Sequence, residues 1–119
     1  MTNVLVTGAK GQLGSEIQAL VKSREQVHGT EGLGACEEMQ NSEQVHSIDS
    51  NFFFTDRTTL DITDKKALED YLSRNNINII INCAAYTAVD NAEADKVNAD
   101  KINHLSVKYL AELAKEKNI

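Results

Sequence analysis

The segment Thr7-Gly8-Ala9-Lys10-Gly11-Gln12-Leu13-Gly14 sets three glycines in a Gly-x-x-Gly-x-x-Gly pattern directly behind the apolar run Val4-Leu5-Val6. A strand that ends in such a turn and re-enters as a helix gathers free backbone N–H groups and the positive end of a helix dipole at one point. That is chemistry for an anion, and a phosphate suits it best. In this reading Gly8 permits the tight turn, Gly11 lets the backbone approach a pyrophosphate, and Gly14 lets the helix press on its strand. The spacing differs from the Gly-x-Gly-x-x-Gly fingerprint of dinucleotide sites, so its weight comes from position. The motif follows a β-branched run and precedes Leu13, Ile17, Leu20 and Val21, whose spacing marks one buried helical face. A glycine turn without a ligand would share the local pattern.

A second group of candidate residues stands at Asp56, Arg57 and Asp61. Phe52-Phe53-Phe54-Thr55 reads as a second strand, and an acidic residue at the tip of that strand in a nucleotide-binding β-α-β unit accepts from ribose hydroxyls. Asp56 takes that role, although it lies further from the glycines than the usual separation of about 20 residues. Arg57 offers a guanidinium to a 2′-phosphate that Asp56 would repel, and it serves equally as a solvated loop charge. Asp61 is either a turn residue or an acceptor for an adenine amine. A third group, Ala84, Ala85, Tyr86 and Thr87, follows the apolar stretch Ile77 to Ile81. Small residues there let a nicotinamide ribose lie against backbone, or serve simply to pack helix on strand.

The elements that must position these groups follow from periodicity. The first helix is expected to end near Lys22. A polar excursion with Gly29, Gly32 and Gly34 then covers about 23–51, with a short helix possible over Cys36 to Gln40. Leu60 to Thr63 reads as a brief third strand or an extended turn. Thr63 or Asp64 caps a helix to about Arg74 that buries Ala67, Leu68, Tyr71 and Leu72. Ile77 to Ile81 reads as a central strand, apolar on both faces. Asp90 and Glu93 flank a turn, and a long helix spans about Asp95 to Lys117 with Ile102, Leu105, Leu110 and Leu113 inward; Asn103 among them needs a partner. The fold class expected is α/β, an incomplete Rossmann-like doubly wound parallel sheet of about three to four strands.

Composition sets the outer bounds. The 119 residues suit one domain, and 12 Lys plus Arg against 18 Asp plus Glu give a formal charge of −6, which disfavours nucleic acid as a partner. The start holds too short an apolar run for a signal peptide, and no segment reaches bilayer-spanning length, so a cytoplasmic protein is expected. Cys36 and Cys83 read as free thiols. They and the scattered His28, His46 and His104 form no zinc pattern.

The glycine block from Thr7 to Glu16, Leu60-Asp61-Ile62-Thr63-Asp64, and the block from Asn82 to Glu93 (Asn82-Cys83-Ala84-Ala85-Tyr86-Thr87-Ala88-Val89-Asp90-Asn91-Ala92-Glu93) together closely resemble the dTDP-4-dehydrorhamnose reductase family of extended short-chain dehydrogenases/reductases. The resemblance covers nearly the whole chain except the excursion. It implies reduction of the 4-keto group of a dTDP-sugar with NADH or NADPH, and cofactor contacts at Gly11, Gln12, Leu13, Asp56, Asp61, Ile62, Ala85, Tyr86 and Thr87. It places Glu16 near a magnesium-assisted subunit contact known in some members, though a solvated helix residue fits Glu16 better. Two features depart from the family: Asn91 stands where Lys is usual, and the excursion is long.

Ketone reduction also needs a proton donor, which this superfamily takes from a Tyr-x-x-x-Lys helix. Four residues beyond Tyr71, Tyr86 and Tyr109 stand Asn75, Asp90 and Leu113, so the chain carries no catalytic residue of that kind. The expectation is therefore the amino-terminal part of a reductase, inactive by itself, with homo-oligomerisation through an unpaired sheet edge or a family dimer contact. A dinucleotide-binding regulatory module without catalysis, or a structural domain with an idle glycine turn, is also compatible with the sequence.

Overall fold

A computed structural model describes residues 1–27, 50–85 and 95–119. Three strands and four helical segments follow one another as β1 (Thr2–Thr7), α1 (Gln12–Val27), β2 (Ser50–Phe54), α2 (Lys65–Arg74), β3 (Ile79–Asn82), α3 (Lys96–Asp100) and α4 (Ser106–Lys117), with a π-helical stretch Lys101–Leu105 between the last two. The possible helix over Cys36 to Gln40 lies outside the described residues, as do Tyr86, Thr87, Asp90 and Glu93.

The β-branched and aromatic runs pair as a parallel sheet in the order β2-β1-β3, with Val4 opposite Phe52 and Ile79, and Leu5 opposite Phe53 and Ile80. Strand alternation sends Leu5, Phe53 and Ile80 to one face. There they meet a core of Leu60, Ile62, Leu68, Leu72, Ile77, Leu110 and Leu113, so α2 and α4 cover this side. Each fully buried leucine contributes about 1.5–3 kcal/mol of transfer free energy. At the entry edge, Asn3 fastens the strands. Its amide nitrogen donates to the Asn75 carbonyl at 2.8 Å, and its backbone carbonyl accepts from the Asn78 N–H at 2.8 Å.

Helix α2 forms as its sequence dictates. The Asp64 carboxylate accepts from the Lys66 and Ala67 N–H groups at 3.0 and 3.2 Å, satisfying the open first turn. Leu68 and Leu72 are buried, with Ala67 and Tyr71 packed beside them.

Several expectations are corrected. Helix α1 continues to Val27, not Lys22, so the start of the expected excursion is helical. Its inward side is also rotated from the expected one: Leu13 and Leu20 are 60% and 64% exposed, whereas Gly14 is buried and Ile17 and Val21 are half-buried. At about 100° per residue, Gly14, Ile17 and Val21 share one side, and the close seat of Gly14 turns Leu13 and Leu20 to the flank. Of the two readings open for Leu60 to Thr63, a brief strand or an extended turn, the turn is the one formed. Asp61 accepts from the Thr63 N–H and hydroxyl at 2.9 and 2.6 Å, and this local bonding holds the turn. Strand β3 begins at Ile79, which is 46% exposed, so the stretch is not apolar-packed on both faces.

The long carboxyl-terminal helix contains the π stretch because Ser106 intervenes. Its hydroxyl donates to the Ile102 carbonyl, the acceptor its own N–H would use in an α-helix, and that N–H reaches Lys101 instead. Asn103, expected near the buried side, is exposed.

Candidate functional site

A cleft of about 480 Å³ opens at the carboxyl ends of the three strands. The chain leaves β1 toward β2 on one side and β3 lies on the other, so the cleft sits at the switch point where parallel sheets of this kind bind ligands.

The three glycines occupy distinct environments there. Gly8 has φ +65°, and a Cβ on it would stand 2.6 Å from the Ala84 nitrogen and from the Cys83 carbonyl carbon. Only glycine permits that approach, which seats the loop on the tip of β3. A Cβ on Gly14 would collide with the Gly8 carbonyl and lie 2.8 Å from the Ala9 Cα. Gly11 is different: its Cβ would meet only the Gly8 oxygen, at 3.3 Å, and the residue lines the cleft. Two glycines thus shape the loop, and the third lines the cleft beside the first turn of α1, where N–H groups lack intrahelical partners. Gln12 and Leu13 are exposed at the start of α1. With Gly14 they stand outside the cleft lining.

At the tip of β2, the Ala9 N–H donates to the Thr55 carbonyl at 3.0 Å and the Thr55 N–H to the Val6 carbonyl at 2.9 Å. These bonds hold the glycine loop against the strand end, so the next residues of the two segments, Lys10 and Asp56, face each other. Lys10 Nζ lies 2.6 Å from Asp56 Oδ2. The other oxygen, Oδ1, accepts from the Thr58 N–H at 2.9 Å, the Thr58 hydroxyl at 2.6 Å and the Thr59 N–H at 3.1 Å. Lys10 first, then Thr58, holds the Asp56 carboxyl well below the usual carboxylate range. Arg57 is exposed and lines the same cleft.

Asp61 is exposed at the cleft wall, and the Thr63 hydroxyl and N–H lower its pKa. Ile62 also borders the cleft, but it is only 8% exposed and belongs to the core. Across the cleft, Ala84 and Ala85 supply a low wall after β3. Its shape is fixed by Asn82, whose side-chain oxygen accepts from the Thr7 hydroxyl at 2.6 Å and the Ala84 N–H at 3.3 Å. Cys83 is a free, half-buried thiol whose pKa burial raises. The structure therefore brings Gly8, Gly11, Asp56, Arg57, Asp61, Ile62, Ala84 and Ala85 to one cleft. Tyr86 and Thr87 fall outside the described residues.

Sequence reasoning missed Lys10, Thr7, Asn82 and the lining residues Asn98 and Lys101. Lys10 stood inside the glycine motif, yet its partner is 46 positions away, and only the Ala9–Thr55 bond reveals the pairing. Nothing in the local pattern marked Lys101. Among the described residues, no group of three or more His, Cys, Asp or Glu side chains gathers as metal ligands would, and no helix is long and apolar enough to cross a membrane.

The RmlD substrate binding domain family model matches residues 1–119. The chain is 33% identical over 118 residues to a dTDP-4-dehydrorhamnose reductase of Aggregatibacter actinomycetemcomitans, an alignment covering 99% of this chain and 32% of that protein. Among solved structures it resembles a dTDP-4-dehydrorhamnose reductase of Clostridium acetobutylicum, with a TM-score of 0.73 and 33% identity over 98% of this chain and 33% of that one. A dTDP-4-dehydrorhamnose reductase of Bacillus anthracis, solved in complex with NADP, gives a TM-score of 0.72 and 26% identity over 99% of this chain and 34% of that one. The chain thus spans about a third of the length of these relatives.

Proposed function

The chain belongs to the RmlD substrate binding domain family, and on that premise we propose that it is the amino-terminal, cofactor-binding part of an NAD(P)H-dependent dTDP-4-dehydrorhamnose reductase. The observation that carries this reading is the cleft at the switch point of the sheet, lined by the glycine loop at Gly8 and Gly11 and by Asp56 at the tip of the adjoining strand. The Bacillus anthracis relative, which shares the fold, holds NADP.

The residues present fit a dinucleotide. The α1 amino terminus and Gly11 receive the pyrophosphate, with Gln12 and Leu13 contributing backbone from the first turn. Asp56 Oδ2 accepts from the adenosine ribose, and Arg57 stands beside the 2′ position. Asp61 and the backbone at Ile62 border the adenine. Ala84 and Ala85 line the side on which the nicotinamide ribose would rest, and the family resemblance assigns Tyr86 and Thr87, outside the described residues, to the same contact. When bound, the nicotinamide supplies a hydride for the 4-keto group of a dTDP-sugar. The proton for the new hydroxyl has no Tyr-x-x-x-Lys source in these 119 residues, so the chain by itself binds cofactor without turning over substrate.

Calorimetric titration of the chain and of Gly11→Asp with NADH and NADPH tests the reading. The aspartate puts bulk and negative charge where the pyrophosphate sits, so affinity is expected to fall by about tenfold or more, the equivalent of roughly 1.4 kcal/mol. Equal affinity in both proteins removes the site from this loop.

A further inference from the structure

Part of the cleft lining comes from outside the strand tips: Asn98, Lys101 and Ile102, from α3 and the π-helical stretch, border the same space as Asp61 and Ile62. Their i, i+3, i+4 spacing puts them on one helical side. The backbone there is anchored, because the fully buried Ser106 gives its hydroxyl to the Ile102 carbonyl and its N–H to the Lys101 carbonyl. Asn98 is held as well, its side-chain amide donating to the Asp95 carboxylate at 2.8 Å. The Lys101 side chain, in contrast, is exposed and forms no ion pair among the described residues. Asp61 offers it a partner. One oxygen of that carboxylate accepts from the Thr63 N–H and hydroxyl, and the other accepts from no described residue. Thr63 first, then the charges of Arg57 and Lys101, hold the Asp61 carboxyl below its ordinary value. Arg57 lies on the same connection as Asp61, whereas Lys101 approaches from a different element.

We propose that Lys101 straps the base of the bound dinucleotide into the cleft, its stem lying along one face of the ring and its ammonium reaching the open oxygen of Asp61. This rests on the dinucleotide reading of the cleft. A lysine stem covers apolar surface while its charged head stays at the water boundary, so the methylenes shield the ring beside Ile102. The open oxygen has two lone pairs and accepts from the adenine amine and from Lys101 together. In the structure the two side chains do not meet. A base seated between their elements displaces water from the gap, and the attraction between ammonium and carboxylate strengthens as the local dielectric falls. The strap thus joins the π-helical stretch to the turn at Asp61 through the ligand, and it acts only on ligands that carry the base.

The test is calorimetric titration of the chain, Lys101→Met and Lys101→Ala with NADPH, ADP and inorganic pyrophosphate, at low and at high salt. Methionine keeps a stem without the charge, and alanine removes both. Lys101→Met is expected to weaken NADPH and ADP by about threefold, the scale of one exposed ion pair. Lys101→Ala is expected to weaken them by about tenfold, because the methylene cover is lost as well. Pyrophosphate, which carries the diphosphate without the base, binds all three proteins equally. Loss of pyrophosphate affinity in parallel with ADP, or equal losses in the two variants that vanish at high salt, makes Lys101 a distant attractor of anions and overturns the strap while leaving the dinucleotide site in place. A wild-type chain that binds neither NADPH nor ADP overturns the strap and the reading beneath it together.

Discussion

Asp56 concentrates more of the cleft's electrostatics than any other described carboxylate, because one oxygen is closed by Thr58 and Thr59 and the other by Lys10. Every one of those bonds favours the ionised form, so the folded state holds the proton more weakly than the unfolded chain does. A carboxyl depressed on folding contributes stability that is fully present above its unfolded value, near pH 3.9, and is lost as pH falls below that toward its folded value. Urea denaturation from pH 7 down to 2.5 is therefore expected to show wild type more stable than Asp56→Asn at neutral pH, with the difference shrinking below about pH 4. A gap that stays constant over that range would assign the stabilisation to something other than the charge. Asp61 and Glu112 are depressed as well, so both proteins lose stability on acidification, and only the difference isolates Asp56.

Helix α2 shows how far local sequence decides an element and where tertiary contact takes over. Its cap, narrowed to Thr63 or Asp64 and formed by Asp64, its end at Arg74 and its apolar side were legible, since each depends on residues within one or two turns. Replacing the cap oxygen in Asp64→Ala is expected to cost about 1 kcal/mol, read as a lower urea midpoint at unchanged slope. A loss below about 0.3 kcal/mol would mean that solvent replaces the cap at no cost. Helix α1 is the contrasting case. Its residues are as periodic, but its rotation is set by Gly14 packing on the Gly8 carbonyl, a contact invisible to a pattern of leucines. For the stretch from Leu60 to Thr63 the sequence left strand and turn open, and the turn forms because Asp61 accepts from the Thr63 N–H before a neighbouring strand can. The π stretch likewise turns on a single side chain, Ser106, whose hydroxyl gives no periodic signal.

Across the whole molecule the sheet is covered unequally, and that asymmetry has a measurable consequence. The face of Leu5, Phe53 and Ile80 is sealed by α2 and α4, whereas Val4, Val6, Phe52, Phe54, Ile79 and Ile81 project to the side on which α1 lies. Val4 and Val6 are buried there, Ile79 is 46% exposed, and Leu13 and Leu20 add apolar surface on the flank of α1. Among the described residues β3 pairs with β1 alone, which leaves a row of edge N–H and C=O groups beside this apolar surface. An unpaired edge at the third strand was expected from the sequence, as was a ligand site at the strand tips. The exposure of Ile79 within that strand was not, because an apolar run looks the same in a sandwiched strand and in an edge strand. An open edge next to apolar side chains favours association of copies, so light scattering of the 119-residue chain is expected to show a mass that rises with concentration. Ile79→Lys, which places a charge on that edge, should hold the chain closer to monomer while leaving NADPH affinity unchanged, since Ile79 lies at the opposite end of β3 from the cleft. A mass that stays monomeric at every concentration would show that this edge is protected in solution, and equal association of wild type and variant would place the contact elsewhere.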